Sequence, residues 1–258
     1  MENIFKPNEV LENIVEWIRE WINTNTPDHK IVIGLSGGKD STIVAALCAR
    51  AIGPENVIGV AMPGTGQGIN DADKIAQHLG IEFMVAAIGG LEMEYKKMFD
   101  SLELDMTAQT EMNIPPRLRM TTLYAIAQSN KGVVVNTCNL SEDSIGYSTL
   151  FGDCAGSFAP VRMLTATEII QIGDELGLPN EWVHKTPDDG LPGSSPDEVK
   201  FGFTYKTLDD FIRGYADPDE ETMAKILDRN RKNMFKMEIV QIPAYPHYGY
   251  INEKLMGL

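Results

Sequence analysis

Apolar residues recur at Leu11, Ile14, Val15, Ile18, Trp21 and Ile22, the spacing of one helical face, and predict a helix over 8–23. Val10 and Trp17 widen that face, so the segment reads as a packed core helix or as a partner-binding one. Residues 30–35 (KIVIGL) are a short β-branched run, the pattern of a buried strand. STIVAALCARAIG is apolar nearly all round and stops at Gly53-Pro54, which predicts a buried helix with a glycine stop. VIGVAM (57–62), a helix from Asn70 to about Leu79, and IEFMVAAI (81–88) continue the alternation. Strand and helix in turn at this spacing mean βαβ units and a parallel sheet, an α/β fold of Rossmann-like, doubly wound type with flanking helices.

The pattern is less regular beyond residue 90. Residues 91–112 read as helical in one or two pieces, 116–129 as a helix, and 133–137 (VVVNT) as a fourth strand. Residues 138–160 are rich in Gly, Ser and Asp with little periodicity, as functional loops inside compact domains often are. A helix from Thr167 to Leu176 stops at Gly177 and Pro179, a polar loop covers 185–197, and two helices follow near 205–213 and 218–235. There is no internal repeat and no low-complexity linker, so 258 residues are read as one domain.

Charge narrows the class. The net charge of −15 argues against a general nucleic-acid binder, which needs an excess of Lys and Arg. No apolar run approaches the length of a membrane span and the N-terminus has no signal-peptide pattern. Three widely spaced cysteines, Cys48, Cys138 and Cys154, give neither a disulfide framework nor a zinc signature, and a reduced, cytoplasmic protein is expected. No histidine sits at metal-ligand spacing.

The strongest local signal is Ser36-Gly37-Gly38-Lys39-Asp40-Ser41, placed between a buried strand and a buried helix. Backbone N–H groups at a helix start attract anions, and glycines let a phosphate come close. A tight turn with an N-cap serine would account for Ser41 alone; it leaves SGG and Asp40 unexplained. The loop is no Walker A motif: Ile33 stands where its first glycine would fall, and Asp40 separates Lys39 from Ser41.

SGGxDS resembles the pyrophosphate loop of the ATP pyrophosphatases. Four further blocks, in order, resemble the ammonia-dependent NAD synthetases over roughly residues 10–245. They are Asn113-Ile114-Pro115-Pro116-Arg117-Leu118-Arg119-Met120; Asn136-Thr137-Cys138-Asn139-Leu140-Ser141-Glu142, running on to Gly146-Tyr147 and Phe151-Gly152-Asp153; Lys185-Thr186-Pro187-Asp188-Asp189-Gly190-Leu191; and Asp197-Glu198 with Gly202-Phe203-Thr204-Tyr205 and Leu208-Asp209-Asp210. The resemblance implies an adenine nucleotide α-hydrolase fold and amidation of deamido-NAD with ATP and ammonia, through an acyl-adenylate. It implies that Gly34, Leu35, Ser36, Gly37, Gly38, Lys39, Asp40 and Ser41 wrap the ATP phosphates, and that Thr137, Lys185 and Thr204 contact ATP. It implies Mg²⁺ on Asp40 and Glu142, and deamido-NAD against Arg117, Tyr147 and Lys236, with Leu150 and Ser157 as further contacts. Asp153 stands where the family holds ammonia, and Lys185 is a suitable cation for the reacting phosphate.

Departures from the family fall on the dinucleotide side. Leu150 stands where a Lys is common, Cys154-Ala155-Gly156-Ser157 where GGxD is common, Phe235-Lys236 where a His-Lys pair is found, and Ala61 where an Arg is common. A related ligase acting on another acid, or an adenine-nucleotide sensor without turnover, are the competing readings. The resemblance also implies a homodimer, with the apolar face of 8–23 as its expected contact, and a chain without a glutaminase domain.

Overall fold

The computed structural model describes residues 5–186 and 195–236. Four strands, β1 (Lys30–Gly34), β2 (Val57–Ala61), β3 (Glu82–Val85) and β4 (Gly132–Val134), form a parallel sheet in the order β3-β2-β1-β4. The chain steps outward from β1 to β3, then returns to add β4 on the other side of β1. The strand order therefore reverses beside β1, and the crevice beyond the carboxyl ends of β1 and β4 is where such sheets bind ligands.

Alternation along the strands makes two cores. Ile31 and Ile33 face one way, toward α1 (Pro7–Asn25), α2 (Lys39–Ile52) and α7 (Ala166–Glu175). Val32, Ile58, Val60 and Val134 face the other way, onto Leu118, Met120, Leu123 and Ala127 of α5 (Ala108–Ser129). The helix α3 (Asn70–Leu79) adds Ala72, Ile75 and Ala76 to the first core. Helices α6 (Leu140–Ser144), α9 (Asp197–Phe201), α10 (Tyr205–Ile212) and α11 (Glu220–Asn233) enclose a third cluster that includes Phe201, Tyr205, Leu208 and Phe211.

The width of α1 has a packing explanation. Val10, Leu11, Ile14, Val15, Ile18 and Ile22 are all buried, and Trp17 and Trp21 pack against the same core. Trp21 stacks on the buried Phe158 ring at 4.6 Å between centroids. The expectation that this face meets a partner is therefore corrected: the extra aromatic residues pack on Phe158.

The second correction concerns the prolines. The helix expected from residue 116 begins at Ala108 and runs unbroken through Pro115 and Pro116. Proline removes the N–H that would bond the carbonyl four residues back, here those of Glu111 and Met112. Both residues are exposed, so water can serve those carbonyls and the break expected at the prolines is not enforced. Thr107 caps the helix, accepting from the Thr110 N–H at 3.2 Å. The helical segment before it is the separate α4 (Gly89–Ser101), and a short helix, α8 (Asn180–Val183), follows α7.

β4 is shorter than expected. After Val134 the chain keeps a single bridge, Val135 with Phe158, then turns toward α6. No described helix is long and apolar enough to cross a membrane.

Candidate active site

The Gly-rich loop leaves β1 at Gly34 and enters α2 at Lys39, at the reversal of strand order. Gly38 is the N-cap of α2 and gives it no side-chain cap. Ser41, which could have been the cap, instead donates from Oγ to the Gly38 carbonyl at 3.1 Å and lies 3.1 Å from Ser36 Oγ. Ser36 Oγ accepts from the Gly38 N–H at 3.1 Å. The hydroxyls thus brace the loop from within and leave the first turn of α2 as an uncapped, electropositive helix start beside a glycine loop.

Gly37 needs to be glycine on two counts. Its φ of +78° lies in the left-handed region, and a Cβ there would meet Asp71 Cβ at 2.9 Å. Lys185, 148 residues away in sequence, donates to the Gly37 carbonyl at 2.9 Å and to Asp71 Oδ2 at 2.7 Å. Its bond and charge hold the Asp71 carboxyl below the ordinary range. Lys185 therefore lies against the Gly-rich loop. The rest of its sequence block, from Pro187 to Leu191, falls outside the described residues.

Asp40 and Glu142 also meet. Asn139 joins them: its side-chain amide donates to Asp40 Oδ1 at 3.5 Å, and its backbone N–H donates to Glu142 Oε2 at 3.3 Å. Asn139 and Glu142 form a reciprocal capping box at the start of α6. Burial first, and then the Asp40 charge, push the Glu142 carboxyl well above its usual range. A buried carboxyl raised by desolvation and by a neighbouring carboxylate charge marks a place where a cation is favoured. Lys39 points into the same place, with Nζ at 2.8 and 2.7 Å from the two Asp40 oxygens.

The irregular segment after α6 forms a second wall. Arg117 Nε donates to the Leu150 carbonyl at 3.1 Å. Lys236 Nζ donates to the Gly146 and Ser148 carbonyls at 2.8 and 2.9 Å. The segment is thus held between two cations. Asn136 steadies its far end by donating to the Asp153 and Ala155 carbonyls, and the Ser157 N–H donates to Val134 O at 2.7 Å. Asp153 is exposed to solvent. Desolvation raises its carboxyl above the usual range, against the pull of the Thr149 N–H bonded to Oδ1 at 2.8 Å and of the Lys236 charge.

Two expected contacts are occupied otherwise. Thr204 caps α10, accepting from the Thr207 N–H at 3.1 Å. Tyr147 donates to Asp197 Oδ1 at 2.9 Å and sets its ring edge-on to Phe201 at 4.7 Å. Thr137 lies half-buried in the turn between β4 and α6. The structure adds two residues that sequence reasoning passed over. Asn139 was visible as the first residue of an N-x-x-E cap, whereas nothing local marks Asp71.

The NAD synthase family model matches residues 10–241. An ammonia-dependent NAD synthetase of Thermococcus sibiricus is 37% identical over 210 residues, 81% of each chain. The solved NMN synthetase of Francisella tularensis superposes with a TM-score of 0.84 at 28% identity, over 93% of this chain and 99% of that one. The ammonia-dependent NAD synthetase of Campylobacter jejuni, solved with nitrate, superposes at 0.74 and 29% identity, over 92% and 99%.

Proposed function

The chain belongs to the NAD synthase family, and from that membership we propose that it joins ammonia to deamido-NAD with ATP, giving NAD, AMP and pyrophosphate. The nicotinate carboxylate is a poor electrophile. Its oxygen attacks the α-phosphorus, the bond from that phosphorus to the β-phosphate oxygen breaks, and pyrophosphate leaves. Ammonia then attacks the acyl carbon, AMP departs, and the new amide loses a proton. Every partner in the first step is anionic, so the protein must supply fixed positive potential. The uncapped start of α2 and Lys185 at Gly37 supply it for the phosphates. Asp153, whose carboxyl is raised by desolvation, is a stronger base than an ordinary carboxylate. It holds ammonium and takes its proton, leaving NH₃ to attack.

The donor set at Asp40 and Glu142 fits Mg²⁺. Among the described residues no cluster of three or more His, Cys, Asp or Glu could hold a metal. Mg²⁺ commonly uses one or two carboxylates and takes its other ligands from water and phosphate. When bound, it neutralises charge on the departing pyrophosphate. The observation that carries this reading is the meeting of Asp40 and Glu142 around Asn139, from segments 99 residues apart in sequence, beside the Gly-rich loop. The test is pyrophosphate release on mixing the protein with ATP, ammonium and deamido-NAD. Continued release beyond one equivalent per site without ammonium, or none at all, would refute it.

A second reading concerns the acid. The NMN synthetase overlay is the better of the two solved structures above, and Leu150 and Ser157 lack the charges common on the dinucleotide side. Nicotinate mononucleotide presents the same carboxylate without the adenylate half. Replacing deamido-NAD by the mononucleotide in the same assay separates the two.

The homodimer moves to another surface. No residue of the 13-residue α4 is buried. Leu91, Met93, Tyr95 and Met98 are exposed there, joined by Leu102, Leu104 and Met112. An apolar stretch of this extent marks an interaction face, and a second copy of the chain is its occupant.

A further inference from the structure

The side chain of Lys39, at the end of the Gly-rich loop, turns inward. It is 5% exposed, ion-paired with both Asp40 oxygens, and 5.8 Å from the Tyr205 ring. The carboxylates of Asp40 on α2, Glu142 on α6 and Asp209 on α10 all act on it. A phosphate-gripping lysine would point out of the loop toward the nucleotide. This one sits beside the two carboxylates read above as metal ligands.

We propose that Lys39 is a tethered counter-ion that occupies the cation position between Asp40 and Glu142 until the nucleotide arrives. A divalent ion alone must then displace an ammonium already paired with Asp40, and it binds weakly. An ion arriving with ATP brings phosphate oxygens that complete its own coordination and give the displaced ammonium a new anionic partner. The metal site is thereby made conditional on the nucleotide, and the two carboxylates are never left as a bare anionic pair. This inference rests on the assignment of Asp40 and Glu142 to the metal.

The test uses Mn²⁺ alone, titrated into the nucleotide-free protein and followed by the electron paramagnetic resonance of the free ion. Lys39→Met should bind Mn²⁺ at least about tenfold more tightly than the wild type, a factor of ~1.4 kcal/mol. Its metal-free thermal midpoint should fall and be restored by Mn²⁺, whereas Lys39→Arg should bind as weakly as the wild type. Affinity no tighter in folded Lys39→Met than in the wild type overturns the inference. If Lys39→Met does not fold, Lys39→Gln takes its place. Recovery of either by Mn²⁺ supports the counter-ion, and failure of both to fold with Mn²⁺ present makes Lys39 a packing element and ends the proposal. Mn²⁺ binding in the presence of ATP tests the underlying assignment separately. If Asp40→Asn then binds as the wild type does, the metal assignment is the one that fails.

Discussion

Replacing Gly37 by alanine should damage the phosphate loop in a way that can be separated from ordinary backbone strain. At φ +78° an L-residue costs about 1–2 kcal/mol. The new methyl would also stand 2.9 Å from Asp71 Cβ, with the Ala72 backbone nitrogen behind it at 3.6 Å. Neither atom is the free end of a flexible side chain, so the start of α3 must shift, at a further cost of roughly 1 kcal/mol. A loss of about 2–3 kcal/mol lowers the midpoint of a chain this size by roughly 4–12 °C. The same shift moves Asp71 away from Lys185, and Lys185 from the Gly37 carbonyl. ATP affinity should fall about tenfold or more with the loss of a charge-assisted contact. Gly80→Ala is the control. It shares a positive φ of +68°, but its Cβ would meet nothing within 4 Å, so it should show the strain and leave ATP binding alone. Calorimetric titration of ATP into both variants decides the matter. Equal ATP affinity in the two, at measurable stability loss, would refute the coupling of Gly37 to Lys185.

Other consequences are open to direct measurement. Burial raises Asp209 to about 6, so its ionised form costs the fold on the order of 3 kcal/mol at neutral pH. Because the folded value is the raised one, wild type should gain stability over Asp209→Asn as pH falls from about 6 to about 4; urea melts at both ends showing no relative change would contradict this. Arg213 is buried with Glu168, at 2.8 and 2.7 Å to its two oxygens, and Arg213→Met should cost about 3–5 kcal/mol by stranding that carboxylate, a figure denaturant unfolding can check. Met98→Glu should give a monomer by light scattering if α4 meets a second copy, and an unchanged size would exclude that face. Ser157→Asp should tighten deamido-NAD by about tenfold and leave ATP unaffected; equal affinity for the dinucleotide in the two forms would mean that backbone donors already serve it.

The parts of the fold written in local pattern were legible from the sequence. The strand–loop–helix unit around residues 30–52, the helices α3 and α7, and the α/β class all follow from short-range periodicity and turn residues. The apolar width of α1 and the prolines of α5 were misleading for a shared reason. Each depends on what lies outside the segment: Phe158 against Trp21, and solvent around the carbonyls of Glu111 and Met112. The site shows the same division. The phosphate loop is a contiguous motif, and Lys185 and Glu142 came from the resemblance. Asp71 has meaning only once Lys185 reaches it, and the inward turn of Lys39 only once α6 and α10 bring their carboxylates. The cations Arg117 and Lys236 were expected at the substrate and are found holding the carbonyls of Leu150, Gly146 and Ser148.

The start of α2 carries no side-chain cap, as is also true of α1, α3 and α4, whereas five other helices are closed by their own side chains. Thr107, Asn139, Thr165, Thr204 and Asp219 each accept from a first-turn N–H of α5, α6, α7, α10 and α11, an arrangement worth about 1 kcal/mol per helix. Gly38 offers α2 nothing of the kind, although α2 contributes Ile43, Val44, Leu47 and Cys48 to the main core. Bound as proposed, the polyphosphate would supply the missing cap of a central structural helix. Nucleotide binding would then steady a helix of the main core, and greater protection of the first turn of α2 from hydrogen exchange would report it.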